Sequence, residues 1–150
     1  MLDRKFIGYE FEPSEKPIPR WEVSQFANAI KDENPIYFNV EEAKKQGYRD
    51  LAVPPTFFTK MTFSGGSGGP GFFTSLGIDY RKLLDGGREF KYYSQCCAGD
   101  TVVYQTKVEN IVEKEGKRGK MDIVTAVTSG KNKETNEKVI DIIINLVVFH

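Results

Sequence analysis

An α+β domain, with an antiparallel sheet and its helices gathered on one face, is what this sequence predicts. Three observations lead there. The first half is rich in helix and loop signals, and the second half holds four strand-like runs. The turns between those runs are too short for the crossovers that parallel strands need. At 150 residues with no internal repeat, the chain has the size of one domain, 1–150, and can bury a core without metals or disulfides.

Taken in order, Pro13, Pro17 and Pro19 keep residues 13–19 extended. The stretch Trp21–Ile30 places Val23, Phe26, Ala27 and Ile30 at helical spacing, and Pro35 lies beyond the end of that helix. Asn39 is suited to cap a second short helix, with Glu41 and Glu42 in its first turn and Gly47 as a stop. Pro54-Pro55-Thr56-Phe57-Phe58-Thr59-Lys60-Met61 starts a third, apolar and therefore buried, helix. Ser64–Gly71 reads as a flexible glycine-rich loop, and Ile78–Leu84 as a short connection. The strand runs are Arg88–Cys97, Thr101–Lys114, Gly119–Ser129 and Lys138–Phe149. Turns at Gly99-Asp100, Gly116 and Asn132–Asn136 join them into an expected meander.

Composition excludes several classes of function. Lys+Arg and Asp+Glu balance at 21 each, which argues against a general nucleic-acid binder. No apolar run approaches the ~18 residues of a membrane span. Val139–Phe149 is interrupted by Asp141 and Asn145, and the first six residues hold no signal-like apolar region. Cys96 and Cys97 are adjacent, so their side chains point to opposite faces of a strand, and an ordinary disulfide between them is not expected. A reduced, cytoplasmic protein is the expectation. With a single histidine, His150, a Cys/His zinc site is not expected either.

The stretch that carries chemistry is Phe26–Ala43, with Asp32, Asn34, Pro35, Ile36 and Tyr37 at its centre. It resembles the signature of the MaoC-like, (R)-specific enoyl-thioester hydratases: an aromatic residue, then Gly-Asp-x-Asn-Pro-aliphatic-His, then a small residue six positions on. Asp32, Asn34, Pro35, Ile36 and Ala43 stand at matching positions. The segment Gly47–Phe57 with its Pro54-Pro55-Thr56-Phe57, the Gly86-Gly87-Arg88-Glu89-Phe90 run and Ala98-Gly99-Asp100 extend the likeness over nearly the whole chain. The resemblance implies a single hot-dog domain, an antiparallel sheet wrapped around a buried helix. It implies acyl thioesters as substrates, carried on coenzyme A or an acyl carrier protein, with no further cofactor. It also implies a hot-dog partner subunit in a heterodimer, or a homodimer, with neither nucleic acid nor membrane as partner.

Hydration of a trans-2-enoyl thioester needs a base to activate water and an acid to protonate C2. In the resembled family the motif's Asp and His hold that water, and a backbone N–H at the start of the buried helix polarises the thioester carbonyl. Here Tyr37 stands in place of the histidine, and a phenol of pKa ~10 is a poor base at neutral pH. Lys31 replaces the glycine before Asp32, Pro55 occupies the position of the hole-forming glycine and has no N–H, and Asp85 stands where related subunits often carry histidine.

The candidate catalytic residues are Asp32, Asn34 and Tyr37, and the candidate substrate-binding residues are Pro55, Thr56, Phe57, Met61, Asp85 and Gly86. Each has a plainer reading. Asp32 and Asn34 are also what an Asn-Pro turn with local capping looks like. Tyr37 is either a hydrogen-bond donor or an aromatic beside the acyl tunnel. Phe57, Phe58, Met61 and Phe63 line an acyl pocket or fill the core. Lys117, Arg118 and Lys120 are a solvated turn or a contact for coenzyme A phosphates or an acidic carrier. Gly65–Gly71 lacks the Lys-Ser/Thr ending of a phosphate loop, and His150, as the last residue, is expected to be poorly ordered. Three functions fit: an acyl-binding subunit whose partner supplies catalysis, a stand-alone hydratase or thioesterase using Asp32, and a non-enzymatic acyl-coenzyme A-binding homodimer.

Overall fold

A computed structural model describes residues 1–63 and 70–150; positions 64–69 of the expected Ser64–Gly71 loop and the Phe63 and Pro70 side chains lie outside the described residues. Five strands form one antiparallel sheet: β1 Ser14–Pro17, β2 Leu83–Tyr92, β3 Thr101–Gly116, β4 Gly119–Asn132 and β5 Lys138–Phe149. The helices are α1 Arg20–Ala29, α2 Val40–Lys45, α3 Lys60–Phe63 and α4 Pro70–Ser75.

The spatial order is β1-β3-β4-β5-β2. The expected meander therefore holds for β3, β4 and β5 alone. The first predicted strand does not pair with β3; it crosses to the far edge and pairs with β5. Its bounds also move, starting five residues earlier and ending at Tyr92. An irregularity between Asp85 and Arg88 absorbs the Gly86-Gly87 pair and lets the ladder continue back to Leu83. At the other end Tyr93–Cys97 peels off the sheet, held by Tyr93 N–H to the Val139 carbonyl and a bridge between Cys97 and Ala52. The proline-rich segment expected only to be extended supplies the short edge strand β1.

β3, β4 and β5 alternate buried and half-exposed residues, as a sheet with one covered face must. The inward set includes Val102, Val108, Val124, Ile140 and Ile142, and they share one core with Phe57 and Met61 of the proline-led segment. Each such side chain stabilises by about 1.5–3 kcal/mol. The buried Thr106–Thr128 hydroxyl pair at 2.7 Å contributes about 1 kcal/mol, so apolar burial dominates this face.

The predicted third helix is present but differs in kind. Pro55–Thr59 is a 3-10 turn, and α-helix begins only at Lys60. Two successive prolines remove two backbone donors at its start. Phe57 packs edge-on to Phe26 at 5.5 Å, and Lys60 lies over the Phe57 ring while binding Glu22 at 3.0 Å, which ties this segment to α1. Pro70 and Gly71, read from the sequence as the end of a loop, open α4 instead, where proline suits a first turn. The connection before β2 is a 3-10 turn, Tyr80–Lys82, capped by Asp79. An antiparallel sheet packed against the buried Phe57, Phe58 and Met61 of the proline-led segment agrees with the hot-dog arrangement that the resemblance implies.

Candidate functional site

The local structure starts at the C-terminus of α1. Lys31 has φ +58°, its N–H bonds to the Asn28 carbonyl, and the Asp32 N–H bonds to the Ala27 carbonyl at 3.0 Å. This is the Schellman arrangement, whose left-handed residue is usually glycine. The glycine of the resembled motif is thus a backbone requirement that Lys31 meets with strain. Next, the Asp32 carboxylate accepts from the Asn34 N–H at 3.1 Å, and the Asn34 side chain accepts from the Ile36 N–H at 3.2 Å. That bond caps the 3-10 turn Pro35–Tyr37. The Ser24 hydroxyl donates to the Tyr37 carbonyl at 2.8 Å, and Tyr37 is left only 7% exposed. In this structure Asp32 and Asn34 build the turn, and Tyr37 is what the turn delivers.

Tyr37 enters a cavity of about 380 Å³. One wall is Ile36, Tyr37 and Tyr48; a second is Ala52, Val53, Pro55 and Phe58; the third is the run Tyr92–Cys96 that leaves the sheet. The volume lies within the ~300–1,000 Å³ range of small-molecule sites. The Tyr92 hydroxyl donates to the Pro55 carbonyl at 2.8 Å and joins the second wall to the third. Among the described residues, the lining holds no carboxylate, imidazole, ammonium or guanidinium.

Three of its lining groups are shifted toward their neutral forms. Burial raises the Tyr37 hydroxyl above the ordinary phenol range, and the negative charge of Asp32 adds to this. Burial does the same for Tyr92. The Cys96 thiol is pushed far up, by burial first and then by the nearby Asp100 carboxylate. Asp100 is itself fixed by Arg49 at 2.8 Å and by the Cys97 N–H at 3.0 Å, which anchors this wall. Such a chamber can bind an apolar group and donate hydrogen bonds from phenols; it offers no general base near pH 7.

The sequence-predicted residues fall into separate places. Tyr37 and Pro55 line the cavity. Asp32 acts on it through charge rather than as a lining group, and Asn34 borders a different hollow with Glu42 and Gln46. Thr56 is exposed and outside the lining. Phe57 and Met61 are wholly buried core, and Phe58 lines the cavity. Asp85 accepts from the Gly87 N–H and pairs with Arg88 beside a separate cavity of about 310 Å³. Gly86 lies against β5, where an added Cβ would stand 2.9 Å from the Asn145 carbonyl oxygen. The structure does not bring Asp85 and Gly86 to the Tyr37 cavity.

Lys117, Arg118 and Lys120 sit at the β3–β4 hairpin and do not line the cavity. His150 is held rather than loose: its Nε2 lies 3.3 Å from the fully buried Asp122, and its N–H bonds to Lys120. Tyr48 and Tyr92–Cys96 were missed as site residues. The available signal was the run Lys91-Tyr92-Tyr93-Ser94-Gln95, where strand alternation lapses beside two aromatics.

Fold and site together define a hot-dog domain of the MaoC-like hydratase and dehydratase class. The chain belongs to the family described as FAS1-like, dehydratase domain region, which matches residues 5–141. A UPF0336 protein of Streptomyces avermitilis is 33% identical over 147 residues, 97% of this chain and 94% of that protein. Among solved structures, a chain of the C-terminally truncated HadBC (3R-hydroxyacyl-ACP dehydratase) complex of Mycobacterium tuberculosis superposes with a TM-score of 0.81 at 23% identity, covering 95% of this chain and 96% of that one. A chain of the ChsH1–ChsH2 complex of the same organism gives 0.74 at 20% identity, covering 93% and 84%. These likenesses are of fold. No helix among the described residues is long and apolar enough to cross a membrane.

Proposed function

We propose that this chain is the acyl-thioester-binding subunit of an (R)-specific enoyl-thioester hydratase, equivalently a 3-hydroxyacyl-thioester dehydratase, and that a partner hot-dog chain supplies the base. The observation that carries the proposal is the lining of the Tyr37 cavity, which among the described residues has apolar, phenolic and neutral polar groups but no carboxylate or imidazole. Adding water across C2 and C3 requires a proton to leave that water while another reaches C2. A neutral phenol held above its ordinary pKa can donate a hydrogen bond to the thioester carbonyl, but it cannot take the water's proton at pH 7. Pro55, without an N–H, cannot act as oxyanion donor.

Two features support a partner. The outer edge of β2 is a ten-residue strand edge with no neighbour among the described residues, an open template for pairing. The two similar solved structures named above, of HadBC and of ChsH1–ChsH2, are both described as complexes. The thioester is carried on coenzyme A or on an acyl carrier protein.

The test is hydration of crotonyl-coenzyme A, followed as loss of enoyl absorbance. The purified chain is expected to bind an acyl-coenzyme A in calorimetry and to give no hydration above background; adding a MaoC-like partner with an intact Asp and His should restore it. Full hydratase activity of the chain alone, abolished by Asp32→Ala, overturns the proposal and establishes the stand-alone reading, which the electrostatic contact of Asp32 with Tyr37 favours.

A further inference from the structure

The outer face of the sheet carries apolar rows on either side of a central polar pair, and no described helix covers it. The strand registers align Val112, Ile123, Val147 and Leu84 in one row across β3, β4, β5 and β2. Val112 is 41% and Leu84 49% exposed, while Ile123 and Val147 are half-buried. A second row runs Lys107, Val127, Ile143 and Glu89, and Met121 pairs with Phe149 further along. Between these rows Thr125 donates to the Asn145 side chain at 2.9 Å, so the polar pair at the centre is already satisfied.

We propose that two copies of this chain pack back to back through this face, about a two-fold axis that runs along the strands between β4 and β5. Charge placement selects the occupant and the axis. In the Lys107–Glu89 row the cation lies at the β3 end and the anion at the β2 end. A two-fold along the strands lays the β3 end of one copy over the β2 end of the other, so Lys107 meets Glu89 twice. The same rotation sets Ile123 over Val147, Val112 over Leu84 and Met121 over Phe149. A two-fold running across the strands would press Lys107 onto Val112 and Glu89 onto Leu84, which buries charge on apolar surface. Within one copy, among the described residues, Lys107 pairs with Glu109 at 3.6 Å and Glu89 with Lys91 at 3.8 Å, both loose and partly exposed.

The area is sufficient. With strands ~4.8 Å apart and alternate residues ~6.8 Å apart, the face measures roughly 20 by 30 Å, or about 1,200 Å² over both copies, the lower bound of a specific interface. Face packing leaves the β2 edge open, so this contact coexists with edge pairing to a catalytic partner and does not depend on that pairing.

Sedimentation velocity of the purified chain tests the proposal. Ile123→Glu should halve the sedimenting mass, and Lys107→Glu alone should raise the dissociation constant at least tenfold. Lys107→Glu combined with Glu89→Lys should restore association, because the reversed charges meet again. A chain that sediments at single-copy mass before any substitution overturns the proposal, as does an association that neither variant weakens. Lys107 lies on open surface, so its charge reversal keeps the test informative even if Ile123→Glu perturbs folding. Acyl-coenzyme A binding should be unchanged in all variants, since none lies in the Tyr37 cavity.

Discussion

The Tyr92 hydroxyl donates to the Pro55 carbonyl at 2.8 Å, and this one bond joins the end of the edge strand β2 to the proline turn that opens the buried helix. It pins two of the three walls of the Tyr37 cavity to each other. Tyr92→Phe keeps the ring and removes the bond. Because the site is partly exposed, water can replace the lost donor, and the stability cost should be at most about 1 kcal/mol. Acyl-coenzyme A affinity should fall several-fold as the walls separate. Calorimetric binding beside chemical denaturation separates the two effects; unchanged affinity would show that the bond does not shape the cavity.

Lys31 occupies a left-handed position at the end of α1. Lys31→Gly relieves a backbone conformation that costs a side-chain-bearing residue about 1–2 kcal/mol, though it also adds freedom to the unfolded chain. A net gain of about 0.5–1 kcal/mol is expected, read as a higher denaturation midpoint with unchanged slope. A loss of stability would mean that the lysine side chain contributes more than the strain removes.

Under the proposed function, Tyr37→His supplies the base that the resembled motif carries without supplying an oxyanion donor, since Pro55 still lacks an N–H. The variant alone should remain below one-hundredth of the crotonyl-coenzyme A hydration rate of the chain complexed with its catalytic partner. Tyr37→His with Pro55→Gly should exceed either single variant. Robust activity from Tyr37→His alone would show that this chain lacks only the base.

Acid stability should follow the buried carboxylates. Burial pushes the Asp122 carboxyl up, but hydrogen bonds from Arg4 at 2.6 Å and from the Leu2 N–H at 2.7 Å outweigh it and hold the group below its ordinary value. Asp100 and Glu22 show the same balance, with Arg49 and with Lys16 and Lys60. A depressed folded-state pKa stabilises above the unfolded value and loses that contribution as pH falls toward the folded one. Stability should therefore hold from neutral pH down to ~4.5 and decline below ~4. Asp122→Asn should cost about 1–3 kcal/mol at pH 7 and flatten the acid limb of a stability–pH profile. A profile unchanged by the substitution would remove Asp122 from this account.

The α+β class, the helices at Arg20–Ala29 and Val40–Lys45 and the strands from Thr101 onward were legible in the sequence, because period-2 and period-3.6 patterns and the Asn39 cap act locally, while the hot-dog arrangement was implied by the resemblance of the Asp32–Tyr37 motif. The turn at Asp32–Tyr37 was legible too, since its hydrogen bonds span two residues each. What the cavity contains was not. Tyr92–Cys96 reads as the tail of a strand, and only the crossing of β2 to the far side of β5 carries it to Pro55, 37 residues away in sequence. The family resemblance pointed to Asp85 and Gly86 as candidate substrate-binding residues, and the same crossing takes them to the opposite end of β2 from Tyr92. Asp122 sits in a strand and gives no sign of being buried, because its partners, Leu2 and Arg4, lie more than a hundred residues earlier. Local hydrogen bonding and side-chain periodicity determined the elements. Strand order is decided by which apolar faces can be buried at once, and that long-range choice set what surrounds Tyr37.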